Sequence, residues 1–161
     1  RLEKGDLEIA IVGSHENLPG SLHQLPIFEE KFVILLPPNP PLSAKPEVSA
    51  KDLHQQPYVS RTQCEVFRYV SSDLKDRGVE PRIVFRSPRD DWVQGMIKAG
   101  LGFGFFPESS VTDTDVVVRP LVDPEYRRTV FLATVRGRPH SPAVGAFIRE
   151  ARSHEWPTSV R

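Results

Sequence analysis

Between residues 57 and 107 the sequence alternates short β-prone runs with amphipathic stretches, and this alternation constrains the fold more than any other feature. "PYVSR" reads as a short strand. Residues 62–77 read as a helix stopped by Gly78. "RIVFR" is a second strand, "SPRDDWVQGMIKAG" a helix stopped by Gly100, and "FGFFP" a third strand. Strand–helix–strand–helix–strand is the signature of a parallel sheet covered by helices, because a parallel pair needs a crossover long enough to return the chain to its starting edge.

Both helices carry start signals. Thr62 with Glu65 three residues on has capping-box spacing. Val66, Phe67, Val70 and Leu74 follow at helical intervals as a buried face. In the second helix Ser87 reads as N-cap, Pro88 as the first helical residue and Asp90 as its acidic partner. Trp92, Val93, Met96 and Ile97 read as its core stripe.

The flanks are organised differently. "RLEKG" reads as the last turn of a helix stopped by Gly5, and residues 7–12 as a buried strand. A chain opening in the tail of a helix reads as a fragment of a longer one. Residues 22–28 and 31–36 read as two strands joined by a tight turn at Glu29-Glu30. "PPNPPLSAKP" follows; its prolines fix φ and remove donors, so it is a rigid surface loop or a stiff hinge. "VVVRPLVDPEYRRTVFLATVRGR" reads as two strands about a turn at Asp123-Pro124. "SPAVGAFIREARSH" is a last helix capped by Ser141, led by Pro142, and burying Val144, Phe147, Ile148 and Ala151. The expected architecture is therefore α/β in two lobes. Residues 1–37 and 120–155 form lobe I, residues 38–119 lobe II, and residues 156–161 a frayed tail. The chain leaves one lobe, builds the other and returns. A cleft between lobes so joined is a usual place for a small ligand.

Composition removes several classes. Among 161 residues, 21 Lys and Arg balance 21 Asp and Glu, so electrostatics alone point to neither nucleic acid nor an anionic membrane. No apolar run has a spanning length. A single cysteine excludes an internal disulfide and any CxxC pair, and suits a reducing compartment. His15, His23, His54, His140 and His154 show no metal-binding or catalytic spacing, so neither a cofactor nor a metal is expected.

The candidate site lies at the carboxyl ends of the parallel strands, where open α/β sheets take ligands. Ser60, Arg61, Thr62 and Gln63 offer hydroxyl, guanidinium and amide groups there, beside backbone N–H groups suited to an anion. Thr62 is partly committed to capping, and Arg61 pairs a carboxylate or faces water. Ser87, at the second helix start, faces the same way. Phe103 and Phe105 alternate with Gly104 and Phe106, and one of the two sets faces the cleft or a helix. Cys64 falls at the second position of the first helix, where the dipole and Arg68 four residues on favour a thiolate and Glu65 opposes it. It lines the ligand cleft, senses oxidation or packs as a structural thiol. Arg127, Arg128, Arg136 and Arg138 read as a solvated strand edge that bridges nearby acids, with nucleic-acid contact as the other reading.

Four stretches, in order, resemble the effector-binding domain of the LysR-type transcriptional regulators. "RLEKGDLEIAIVG" is similar to the family's L-x-x-G-x-L-D-[IL]-A-I stretch, and "LPIFEEKFVILLPPNPPLS" to its crossover. There Pro40 stands where the family has His before Pro-Leu. "DDWVQGMIKAGLGFGFFPES" resembles its V-x-A-G-x-G segment, and "VVVRPLVDPEYRRTVFLAT" its returning strand pair. The resemblance implies two Rossmann-like lobes of the type 2 periplasmic-binding-protein kind, joined by two crossover strands. It implies a small, anionic effector, held by the "SRTQ" turn and by Gly13 and Ser14 after the first strand. It also implies a homodimer or tetramer in the cytoplasm, with no membrane contact, touching DNA only through an N-terminal helix-turn-helix domain outside this sequence. Cys64 resembles in position the peroxide-sensing cysteine of the family's oxidative-stress branch, but the resolving cysteine of that branch has no counterpart here. The alternatives are a solute-binding transport receptor of the same architecture and a thiol enzyme.

Overall fold

The computed structural model describes residues 1–62 and 64–156. In chain order the elements are β1 (Ile9–Ser14), β2 (Leu22–Leu36), β3 (Val48–Ser49), β4 (Pro57–Arg61), α1 (Phe67–Asp76), β5 (Arg82–Ser87), α2 (Asp90–Lys98), β6 (Gly104–Pro107), β7 (Val117–Val122), β8 (Arg127–Val135) and α3 (Pro142–Ser153). The chain divides into two compact units: Arg1–Glu30 with the chain from Arg127 on, and Lys31–Tyr126.

In the first unit β1 pairs antiparallel with β8, from Ile9 opposite Thr134 to Ser14 opposite Thr129, and β8 neighbours β2. β1 is half-buried rather than buried, and Ile11 faces outward. Gly5 has φ +85°; its N–H bonds to Leu2 O, and Asp6 N–H to Arg1 O. That 5→2 and 6→1 pair is the Schellman stop read from the sequence, although residues 2–5 are turns and not helix. α3 begins as expected: Ser141 Oγ accepts from Val144 N–H. The helix buries Val144 and Ala151, but Phe147 is exposed. Of the expected tail, only Trp156 is among the described residues. It stacks on Phe28 at 6.2 Å between ring centroids.

The expected turn at Glu29-Glu30 does not exist. β2 runs unbroken for 15 residues. Nothing in that dipeptide supplies a turn conformation, and Glu30 is a buried strand residue whose Oε1 accepts from Arg128 Nε at 2.8 Å and Nη2 at 2.6 Å. A carboxylate so buried is tolerated because a guanidinium meets it. Arg128 is therefore no solvated edge residue. Arg136 and Arg138 are also engaged, donating to the carbonyls of Gly20 and Leu2.

In the second unit β2 pairs antiparallel with β6 and β7, and β7 runs parallel to β3. β4 and β5 are parallel, and a parallel bridge joins Tyr58 to Phe103. The unit has two apolar clusters. One gathers Phe32, Ile34, Leu53, Val70, Leu74 and Phe105; the other gathers Val33, Leu35, Val59, Val93, Ile97 and Phe106. Alternate residues of β2 feed opposite clusters, as the period of a strand requires. The proline-rich loop lies wholly inside this unit, with Pro38, Asn39, Pro40 and Pro41 exposed.

α2 keeps only half of the expected stripe. It buries Val93, Gln94 and Ile97, while Trp92 and Met96 face outward. Arg89 stacks its guanidinium 5.4 Å from the Trp92 ring centroid, which gives that exposed ring a polar cover.

Candidate functional site

β4 and β5 end side by side, with Arg61 in register with Ser87. Thr62 N–H extends the ladder to Ser87 O at 3.0 Å. This strand pairing decides where the helices start. Thr62 is spent on the ladder and Cys64 on a turn closed by Phe67 N–H to Cys64 O, so α1 begins at Phe67 with Val66 as N-cap. Thr62 therefore does not cap, and Cys64 lies before the helix and not in its first turn. The shared helical face of Cys64 and Arg68 disappears with it. Ser87 is likewise the last residue of β5; its Oγ accepts from Arg89 N–H at 3.1 Å, and α2 begins at Asp90.

The hydroxyls expected at the ligand are mostly interior. Ser60 and Ser87 are buried. Burial pushes the neighbouring Tyr58 phenol up to about 12, and a hydrogen bond with the Ser60 side chain pulls against that rise. Thr62 is exposed, and Gln63 lies outside the described residues.

Arg61 is committed. Its Nε donates to Asp90 Oδ1 at 2.7 Å and its Nη2 to Asp90 Oδ2 at 2.8 Å. Its guanidinium sits 5.0 Å from the Phe106 ring centroid, with the side chain 12% exposed. Nη1 is buried without a hydrogen-bond partner among the described residues. Arg61 thus ties the end of β4 to the start of α2, and neither faces water nor presents its fork outward.

The aromatic residues divide. Phe103 stacks on Tyr58 at 5.1 Å, Phe105 meets both rings edge-on at 5.6 Å, and both phenylalanines belong to the cluster beneath α1. Phe106 joins the other cluster, beneath Arg61. Cys64 is half-buried against the first cluster and lines a cavity of about 290 Å³ under α1. Gly13 and Ser14 belong to the first unit. They are the last two residues of β1 rather than residues after it, and Ser14 Oγ accepts from Glu16 N–H at 3.1 Å.

Sequence reasoning missed two anchors. Asp90 was legible only as an acid at a helix start, not as the partner of Arg61. Gln94 is buried inside the apolar face of α2, and its position next to Val93 and three before Ile97 is the signal that could have found it. Among the described residues no group of three His, Cys, Asp or Glu side chains could hold a metal, and no helix is long and apolar enough to cross a membrane.

The architecture, α/β in two units, is that of a substrate-binding domain with a type 2 periplasmic-binding-protein-like fold. The model of the LysR substrate binding domain matches residues 1–156, and the chain belongs to that family. The HTH-type transcriptional regulator MetR of Escherichia coli (strain K12) is 28% identical over 162 residues, covering 95% of this chain and 49% of MetR. The chain spans about half the length of the curated relatives it matches. The effector-binding domain of QuiR in complex with shikimate superposes with a TM-score of 0.80 at 23% identity, over 93% of this chain and 72% of that one. The Synechocystis PCC6803 CcmR regulatory domain in complex with 2-PG gives 0.81 at 16% identity, over 95% and 76%. These likenesses establish the fold.

Proposed function

We propose that this chain is the effector-sensing part of a LysR-type regulator of transcription, and that its effector is a small organic anion. The single observation that carries the reading is the family match over residues 1–156. The anionic character draws support from the solved relatives, one holding shikimate and another 2-PG. It draws further support from the turn after β4, where Thr62 is exposed with its hydroxyl ahead of the N-terminus of α1. Thr62, Gln63 and Cys64 are the contacts assigned to the second unit, with Arg61, Ser60 and Ser87 holding the turn in place. Gly13 and Ser14 are the residues assigned to the first unit. Binding selects among pre-existing conformers, and that shift is what the rest of the regulator reads. The regulator works in the cytoplasm as a homodimer or tetramer, catalyses no reaction, and meets DNA through a separate helix-turn-helix domain.

The test is thermal melting against a panel of small organic acids, amino acids and phosphorylated metabolites. A ligand at about 100 times its dissociation constant stabilises by about 2.7 kcal/mol. At this size that raises the melting temperature by roughly 5–11 °C. The expected hit weakens in Thr62→Val and retains the melting temperature of the unliganded parent. A panel in which uncharged analogues stabilise as well as the acids would overturn the anionic class.

A further inference from the structure

The cavity beneath α1 belongs wholly to the second unit, and the strand-end turn does not account for it. Its roof is the buried face of α1, with Val66, Phe67, Val70 and Leu74. Its floor is aromatic: Phe32, Tyr58 and Phe105. Neither Ser60, Arg61, Thr62 nor Ser87 lines it. A helix of ten residues that buries Val70 and Leu74 would ordinarily close down on its sheet, since interiors pack to crystal-like density with few voids larger than water. Here a pocket of about 290 Å³, open to solvent on one side, is left along the helix. An apolar cavity of about 150 Å³ is enough to stay dry and bind benzene. Water gains little in this one, because most of its lining is apolar and its charged or hydroxyl-bearing members besides Tyr58 are Ser71, Lys75 and Glu80.

We infer that this cavity is a second ligand site, taking an uncharged aromatic molecule of one or two fused rings whose single polar edge points toward Ser71, Lys75 and Glu80. The volume sets the ring count. The four aromatic side chains of the wall, Phe32, Tyr58, Phe67 and Phe105, set the aromatic character, since ring edges and faces pack with directional preference. Opposite charges at the rim, on Lys75 and Glu80, favour a neutral occupant with a dipole over an ion. Cys64 lies in the wall, so an occupant controls access to the only thiol in the chain. This site shares Cys64 with the organic-anion reading, takes none of Ser60, Arg61, Thr62 and Ser87, and does not need that reading.

Indole serves as the probe, and Cys64 as the reporter. Saturable protection of Cys64 from N-ethylmaleimide is expected, about tenfold when indole is ten times its dissociation constant. Val70→Trp, which fills the cavity from the roof, abolishes that protection while its thermal melt stays cooperative. In the parent chain indole shifts the amide resonances of Val66, Val70, Val79 and Ile83 and leaves those of Thr62 and Ser87 in place. This map decides the matter if Val70→Trp fails to fold. Unchanged labelling with indole, or protection that survives in a folded Val70→Trp, overturns the site. Shifts centred on Thr62 and Ser87 would overturn it too, by putting indole at the strand-end turn.

Discussion

Arg61 grips Asp90 with two parallel hydrogen bonds of 2.7 and 2.8 Å while its guanidinium covers the Phe106 ring. The pair spans 29 residues and joins the end of one parallel strand to the start of the helix after the next. Fork geometry of this kind suits arginine and not lysine. Exposed pairs contribute about 0–1 kcal/mol and breaking buried ones costs about 3–5 kcal/mol. With Arg61 nearly buried and Asp90 39% exposed, Arg61→Ala should cost about 2 kcal/mol. Arg61→Lys should recover less than half of it. Urea unfolding of both variants, with Asp90→Ala and the double mutant, gives the coupling; a cycle that closes with no interaction term would refute a structural role for the pair.

A second prediction concerns pH. Tyr126 Oη donates to Asp73 Oδ2 at 2.7 Å. That bond, more than any other influence, holds the Asp73 carboxyl below its ordinary value, with Arg77 adding to the effect. Burial, and then the same carboxylate, drives the Tyr126 phenol upward. A carboxyl lowered in the folded state contributes stability above its unfolded value and loses it as pH falls through the folded one. A phenol raised in the folded state contributes below its unfolded value and loses it as pH rises. Both contributions are intact between about pH 4 and pH 10. Because solvent screens Asp73, Tyr126→Phe should cost about 1 kcal/mol there. The gap between parent and variant should close below pH 4. Denaturation curves at pH 7 and pH 3 would decide it; a gap that stays constant would show that the bond to the charged carboxylate contributes nothing.

The sequence made the order of elements legible because order follows from period and punctuation. Gly78 and Gly100 stop their helices with φ of +71° and +90°, and Ser141 caps α3. Local signals failed where a distant partner decided the matter. Thr62 and Glu65 have capping-box spacing, but Ser87, 25 residues on, draws Thr62 into a parallel ladder. Glu29-Glu30 looks like a break in an apolar run only until Arg128 arrives from the far end of the chain. Trp92 and Met96 fit the helical period as well as Val93 and Ile97 do, but only Val93 and Ile97 meet the floor offered by Val33, Leu35 and Phe106. The candidate site suffered most, since the Ser60 and Ser87 hydroxyls at the strand ends prove to be buried and the Arg61 guanidinium paired.

A close approach in the second unit gives a third prediction. Gly102 precedes the point where Phe103 N–H meets Pro57 O at 2.9 Å and Phe103 O accepts from Val59 N–H at 2.8 Å. A methyl group on Gly102 would press into the Pro57 carbonyl, 2.7 Å from its carbon, and backbone held by those two bonds cannot retreat. A methyl on Gly104 would meet Ile97 Cδ1 at 2.6 Å, the far end of a side chain that can rotate. Overpacking costs about 1–3 kcal/mol. Gly102→Ala should fall at the top of that range and Gly104→Ala at the bottom. Guanidinium titration of the two variants ranks them, and the reverse order would mean that β4 and β6 are not held this tightly.

Gln94 provides the fourth. Its side chain is buried on α2, where Nε2 donates to Ser110 O at 3.1 Å and Oε1 accepts from Thr112 N–H at 2.9 Å and Asp113 N–H at 3.0 Å. One amide thus satisfies three backbone groups of the segment after β6, a segment with little regular structure of its own. An apolar replacement of similar size keeps the packing and strands all three groups. Each buried polar group left unpaired costs about 1–3 kcal/mol, less where water can enter. Gln94→Leu should therefore cost about 2–4 kcal/mol, more than a change at the outward-facing Met96. Gln94→Glu should retain the two N–H bonds and lose the one to Ser110, so its deficit should be smaller. Hydrogen exchange separates the mechanism from simple loss of packing. In Gln94→Leu the amides of Thr112 and Asp113 should lose protection before the amides of β6 do, and a uniform loss across the unit would instead make Gln94 a packing residue.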